Sequence, residues 1–521
     1  MKKLILLFLY FSFTFIYSQT TTLQRIPDYN DWGWEALVMK NDLITVAAVP
    51  VIGGRIMQYD LSEFSSVFVN PSEFGKTYTP SQFSPWHNFG GYKTWPAPQS
   101  DWSNGGWPPP PNLDYGAYAF SDSVVTEDSV SITLSSPAEQ WFAPDLRFER
   151  TSTIYTGLSR VKMEQKIINE GANAVTWSVW DVTQSIVQSD FENYWVYFPI
   201  NPNSLYGESG VYFRDLGSLW TGDEAAPGVY GIEFLADENK LFADPDKGWI
   251  AYAVLSDSTV FVKTFEVFEG EEYPDNGSRI AVYVSGPGQT YFEVEVTSPL
   301  VELAPSEDYT FTENWWACRV HAPILDADSV GVIASRLSYN QTSNEFTANY
   351  GVFYTGTAKI TFIDSSGQII NEGDVHSVSP LEEFRLKENI VIPDNASAAE
   401  VQIYNDKNEF AGVLERTEIS NLPTSVKEKA PAAAAGFRLF PNYPNPFNGN
   451  TVLTFYCSRP TEGSLKIYDL IGNEIAVLTE GKLAEGNHRI NWSPGNLASG
   501  VYFAKFETPE AVKVQKMIYM R

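Results

Sequence analysis

Between Arg160 and Ile168 the chain alternates without a break. Val161, Met163, Gln165 and Ile167 fall on one side, Lys162, Glu164 and Lys166 on the other. A period of two with one charged side predicts a strand with one buried and one wet face. Asn169-Glu170-Gly171-Ala172-Asn173 makes a turn, and Val175 to Val182 is expected to return as the second strand of a hairpin. Comparable runs at Leu43–Val49, Ser129–Leu134, Leu146–Tyr155, Thr259–Val267, Arg279–Val284, Tyr291–Val296 and Asn314–Val320 predict further strands. No sustained helical period interrupts them. Residues 20–322 are therefore expected to form one all-β unit. It is far larger than an immunoglobulin-type module of about 100 residues, so a large antiparallel two-sheet sandwich is predicted.

Strand-like runs resume at Asn349–Tyr354, Ala358–Ile363, Glu382–Leu386 and Ala399–Tyr404, predicting a small β-sandwich spacer over 323–422. Residues 423–436, with Lys427-Glu428-Lys429 and an alanine run after Pro431, have a linker's composition. Five more strand-like runs fill a third unit, 437–521.

One stretch breaks the pattern. Trp86-His87-Asn88-Phe89-Gly90-Gly91-Tyr92-Lys93-Thr94-Trp95-Pro96-Ala97-Pro98 continues through Trp102, Trp107 and Pro108–Pro111 to Asp114. Its prolines forbid a helix and argue against a central strand, so a long irregular loop is expected. Such loops are often functional. Flat aromatic faces beside a few hydrogen-bonding groups suit a sugar ring. Two readings stay open: the loop lines a ligand site, or its tryptophans plug the end of the β-structure.

Composition narrows the setting. Residues 1–19 have Lys2 and Lys3 ahead of an apolar run and read as a secretory signal. The run is too short to span a bilayer, where about 20 residues are needed, and no later run resembles a span. A soluble protein exported by the Sec route, to the medium or the outer cell surface, is expected. A net charge of −29 argues against nucleic acid or an anionic membrane as partner. Aromatic residues at 15%, with 36 glycines and 32 prolines, suit many short strands and tight turns. The two cysteines, Cys318 and Cys457, are expected to be buried free thiols.

Two regions resemble known families. Tyr443-Pro444-Asn445-Pro446-Phe447-Asn448, Ser464-Leu465-Lys466-Ile467-Tyr468-Asp469 with Gly472, Gly486-Asn487-His488, Leu497-Ala498-Ser499-Gly500-Val501-Tyr502 and a basic end resemble the C-terminal sorting domain of type IX secretion cargo, found in Bacteroidetes-type bacteria. That resemblance implies the type IX machinery as a partner and passage across the outer membrane. Gly53-Gly54-Arg55-Ile56, the Asn88–Pro96 stretch and Trp177-Ser178-Val179-Trp180-Asp181-Val182-Thr183-Gln184 are similar to a family of uncharacterised bacterial exported proteins. That family is placed with the galactose-mutarotase-like β-supersandwiches, which implies a carbohydrate cleft on one sheet.

By that resemblance Arg55 stands for a sugar-holding arginine, His87 for an early histidine and Glu313 for a late catalytic glutamate. The mid-domain histidine of the epimerases is missing; Asp181 is the nearest polar substitute and needs a raised pKa to donate a proton. His87, Asp181 and Glu313 are the catalytic candidates, and Arg55, Asn88, Tyr92, Lys93, Trp95, Trp107 and Trp180 the binding candidates. Among them Trp95 is expected as stacking platform and Lys93 as polar anchor for acidic glycans. No triad, phosphate loop, zinc spacing or calcium-loop consensus names a cofactor, and none is expected. Two functions follow: a secreted glycan-binding protein, or an epimerase-like or lyase-like carbohydrate-active enzyme; a structural surface protein with a degenerate cleft is a third, plainer option.

Overall fold

The computed structural model describes residues 21–207, 209–214, 222–422, 437–439, 442, 447–457, 459–470, 472–484, 486–495, 497–509 and 512–520. The signal segment, the 423–436 linker and the Tyr443–Pro446 motif lie outside them. The chain divides into two compact units at Pro423/Thr424.

Two large sheets, antiparallel throughout, build most of the first unit. The 12-stranded sheet runs from Thr22–Ile26 through Arg55–Leu61, Tyr92–Ala97, Val175–Ile186, Tyr291–Thr297, Ile280–Val284 and Asn239–Ala243 to Val211–Arg214. The 10-stranded sheet has Thr259–Phe265, Asp308–Arg319, Val161–Asn169 and Leu146–Tyr155 at its middle. The alternation read from the sequence holds: Val161, Met163, Gln165 and Ile167 are all fully buried. The expected hairpin does not form. Val161–Asn169 pairs with Asp308–Arg319 and Leu146–Tyr155, whereas Val175–Ile186 belongs to the other sheet. Asn169 pins the crossing: its Nδ2 donates to the carbonyls of Asn173 at 2.8 Å and Leu303 at 3.0 Å. Val301–Leu303 in turn pairs with Val175–Trp177, so the turn is tied to the sheet that the chain enters.

The Trp86–Asp114 stretch also departs from expectation. Tyr92–Ala97 is a strand well inside the 12-stranded sheet, paired with Ser178–Thr183. Pro96 is tolerated there because the neighbour on the other side, Arg55–Leu61, pairs only at Ile56↔Tyr92. The Pro96 carbonyl accepts the Trp102 indole N–H at 2.9 Å, away from the paired strand, so its missing N–H leaves no ladder bond unmade. Strand parity then sorts the side chains. Tyr92 and Thr94 face the second sheet, where both reach Gln165. Lys93 and Trp95 face outward from the sandwich.

The main core fills the space between the sheets. The inner faces carry Val282, Val294 and Val296 on one side and Met163, Ile167, Phe261 and Trp315 on the other. At roughly 25 cal/mol per Å² of apolar area, burial on this scale is the dominant stabilising term.

A 4-stranded and a 5-stranded sheet over Asp326–Glu418 form the small sandwich. It is seated directly on the outer face of the 10-stranded sheet. Trp316 stacks on Phe353 at 4.8 Å, and Cys318, Val262, Val332 and Ile324 complete a shared apolar cluster. The second unit has a 3-stranded and a 4-stranded sheet around Leu453, Phe455, Leu465, Ile467 and Phe506. Cys318 and Cys457 are buried free thiols, as expected.

Candidate functional site

The outer face of the 12-stranded sheet carries a cleft, and cross-strand register assembles it. Trp95 pairs with Trp180, Tyr291–Thr297 follows with Glu293 and Glu295, and Tyr283 pairs across to Lys240. All of these point to one side. Two adjoining cavities result, of about 310 Å³ and about 380 Å³, sharing Gln99, Trp180 and Lys240 in their walls.

Four tryptophans wall the first cavity. Trp95 meets Trp180 at 5.3 Å and Trp107 at 6.4 Å, both edge-on, and Trp86 meets Trp107 at 5.3 Å. Trp95 is nearly enclosed, whereas Trp107 is 49% exposed. The Trp86 indole N–H has no protein partner.

Beneath these rings lie two buried ion pairs. Lys93 Nζ donates to Glu293 Oε1 at 3.0 Å and sits 4.9 Å from the Trp95 ring. Lys240 Nζ donates to both Glu295 oxygens, at 2.9 and 2.8 Å, and lies 4.6 Å from the Trp180 ring. Trp180 Nε1 donates to Glu295 as well, at 2.8 Å. Burial lowers the Lys93 pKa against the pull of Glu293. Burial pushes Glu293 upward, but Lys93 and Lys240 outweigh it and hold the carboxyl below its usual range. Glu295 is pushed up to about 7 by burial, with Lys240 opposing and Glu293 adding to the rise.

Behind the cleft a buried hub fixes the tryptophan stretch. Asp114 Oδ1 accepts from Arg55 Nη2 at 2.6 Å and from Trp95 Nε1 at 3.0 Å. Arg55 Nη1 also donates to the Gly90 carbonyl at 3.0 Å. Gly53 has φ +84°, and a Cβ there would lie 2.0 Å from the Asp114 carbonyl oxygen, so only glycine lets the two segments approach.

The family model for a domain of unknown function, DUF4380, matches residues 35–319, more than half of the chain. The chain belongs to the DUF4380 family. A second model, the secretion system C-terminal sorting domain, matches residues 442–520. No curated protein matches the chain. Among solved structures the chain is similar to a galactose mutarotase-like protein from Clostridium acetobutylicum, at 10% identity over 58% of this chain and 99% of that one, TM-score 0.34. It is also similar to a galactose mutarotase related enzyme from Lactobacillus acidophilus, at 8% identity over 56% and 100%, TM-score 0.35. A TPR-domain containing protein from Parabacteroides distasonis gives 12% identity over 60% and 56%, TM-score 0.39. With TM-scores below 0.5, none of these carries an argument about activity.

The residues singled out in sequence occupy three places in the DUF4380 domain. Trp95, Trp107 and Trp180 line the cleft, with Lys93 below them engaged by Glu293 rather than free for a ligand. Arg55, Asn88, Tyr92 and His87 support it from behind. Arg55 is spent on Asp114, Asn88 Nδ2 donates to Gln289 at 2.7 Å, and Tyr92 faces the inner core. His87 stacks on Tyr78 at 3.5 Å, and burial lowers its pKa. Asp181 and Glu313 are the third place, and it is not the cleft. Both lie wholly buried between the sheets, where Lys263 Nζ donates to Asp181 and Trp315 Nε1 donates to Glu313 at 2.7 Å. Burial and then Glu313 raise the Asp181 pKa well above its usual value, but Asp181 lines neither cavity of the cleft.

Sequence reading missed Lys240, Glu293 and Glu295. Their signal was present: Tyr291-Phe292-Glu293-Val294-Glu295-Val296 alternates, putting two glutamates on one face of a strand. Among the described residues no group of His, Cys, Asp and Glu has metal-site geometry, and no helix is long and apolar enough to cross a membrane.

Proposed function

We propose that this exported protein binds a carbohydrate in the cleft on the outer face of the 12-stranded sheet. The observation that carries this is the pairing of an open tryptophan wall with polar groups in the floor and rim. Trp107 offers a half-exposed aromatic ring, while Tyr283 and Glu238, joined by a hydrogen bond at the rim, offer donors and acceptors to hydroxyls. The ion pairs below hold these rings in place before any ligand arrives, which limits the entropy lost on binding. Glycan-array screening of the full chain, then calorimetry on Trp107→Ala, tests the reading. The variant should fold normally, since its ring is half exposed, and lose on the order of 1–3 kcal/mol of affinity. Unchanged affinity would argue against the cleft as the binding site.

Turnover is the second reading, favoured by Glu293 and Glu295 lying on one face with unlike proton affinities. Glu293 lines the cleft as a carboxylate, and Glu295, near neutral pKa, holds the proton more readily behind it. Incubating a bound glycan with the protein and with Glu293→Gln, and following anomers and chain length by NMR, separates binding from catalysis. Turnover by the parent that the variant lacks supports an enzyme; no turnover by either leaves a binding protein.

A further inference from the structure

Two properties of the cleft, its length and its charge, narrow what it takes. Resting on the carbohydrate reading above, we propose that its ligand is an oligosaccharide chain without carboxylate or sulfate groups, lying across both cavities.

The length argument comes from the walls. The cavities of about 310 and 380 Å³ each fall near the low end of the roughly 300–1,000 Å³ typical of small-ligand sites. They abut at Gln99, Trp180 and Lys240, so the recess continues past the space that the first cavity alone provides. Each cavity has its own half-exposed aromatic ring. Trp107 serves the first cavity and Tyr212, 47% exposed, the second. Two aromatic rings, one in each of two adjoining cavities, suit different sugars of one chain.

The charge argument comes from the ion pairs. Among the described side chains, the one lysine in the cavity walls is Lys240, and both oxygens of Glu295 already hold it. Lys93, next to the wall, is held by Glu293. Apart from tyrosines, the remaining ionisable side chains in the walls are carboxyl groups: Glu238, which accepts the Tyr283 hydroxyl at 2.7 Å, Glu293 and, in the second cavity, Asp275. An anionic sugar would have to pull a lysine out of a buried pair and leave a carboxylate unpartnered, which is strongly unfavourable. Neutral hydroxyls need neither change. The role expected for Lys93 from sequence, an anchor for acidic glycans, is thereby reversed: its charge is cancelled inside the protein.

The experiment is an array of neutral and uronate oligosaccharides, from single sugars to hexamers, probed with the full chain and followed by calorimetry at low and high salt. Binding should be confined to neutral chains, strengthen by about tenfold or more between a single sugar and a trimer, and hold steady as salt rises. Trp107→Ala and Tyr212→Ala, one in each cavity, should each weaken binding of the longest neutral chain by about tenfold. A single sugar bound as tightly as a trimer, a preference for uronates, or one variant without effect would overturn the proposal while leaving carbohydrate binding intact. A chain that binds no glycan on the array overturns the carbohydrate reading, and this proposal with it.

Discussion

Lys263→Met probes the polar cluster sealed between the two large sheets. Lys263 Nζ is wholly buried and donates to Asp181, to Thr183 Oγ1 at 2.8 Å and to the Val294 carbonyl at 2.9 Å. Methionine keeps most of the stem's apolar packing and removes the charge and all three bonds. Asp181 is then left beside Glu313 with no cation. Removing one member of a buried ion pair costs about 3–5 kcal/mol, a large part of the 5–15 kcal/mol typical of a domain. The loss should also depend on pH. Burial and Glu313 already raise the Asp181 pKa against the pull of Lys263. A carboxyl with a raised folded pKa keeps a proton that the unfolded chain releases, so its stabilising effect is present at acid pH and fades as pH rises. Without Lys263 the upward push is unopposed, so the deficit should grow, and in no case shrink, as pH rises from about 5 to about 8. Urea unfolding followed by tryptophan fluorescence reads this directly, because every tryptophan except Trp492 lies in the first unit. Lys263→Met combined with Asp181→Leu removes both charges and should recover about half of the loss or more. A single variant as stable as the parent, or a deficit that shrinks as pH rises, would refute the account of Asp181 as a buried carboxyl held beside Glu313 by one lysine.

Three further outcomes are expected elsewhere in the chain. Gly53→Ala would place a methyl group 2.0 Å from the Asp114 carbonyl at φ +84°, so it should destabilise by more than about 1 kcal/mol, measured as a fall in the thermal midpoint. Deleting residues 437–521 removes the sorting domain and should hold the protein in the periplasm; cell fractionation showing normal surface or medium delivery would contradict that role. The shortened chain should still fold, since each unit has its own apolar core.

Sequence by itself determined the elements, because strand alternation is a local property. The alternation at Val161–Ile167 and the strand Leu146–Tyr155 could be read to the residue, and the strand expected at Tyr291–Val296 ends one residue later, at Thr297. The tryptophan stretch stood out in the sequence too, and three of its rings line the cleft. Which strand lies beside which was decided only in three dimensions. A strand's edge offers the same donors and acceptors to any neighbour, so Val175–Ile186 could be foreseen as a strand but not as a member of the opposite sheet. Side-chain parity was decided there as well. In Trp180-Asp181 one step of sequence separates the cleft from the sandwich interior, and Val175–Ile186 is buried along most of its length on both faces. With neither face marked by solvent, nothing local says which residue looks out. The register with Tyr92–Ala97 and Tyr291–Thr297 says it: Trp180 joins Trp95 and Glu295 outside, and Asp181 meets Lys263 and Glu313 within.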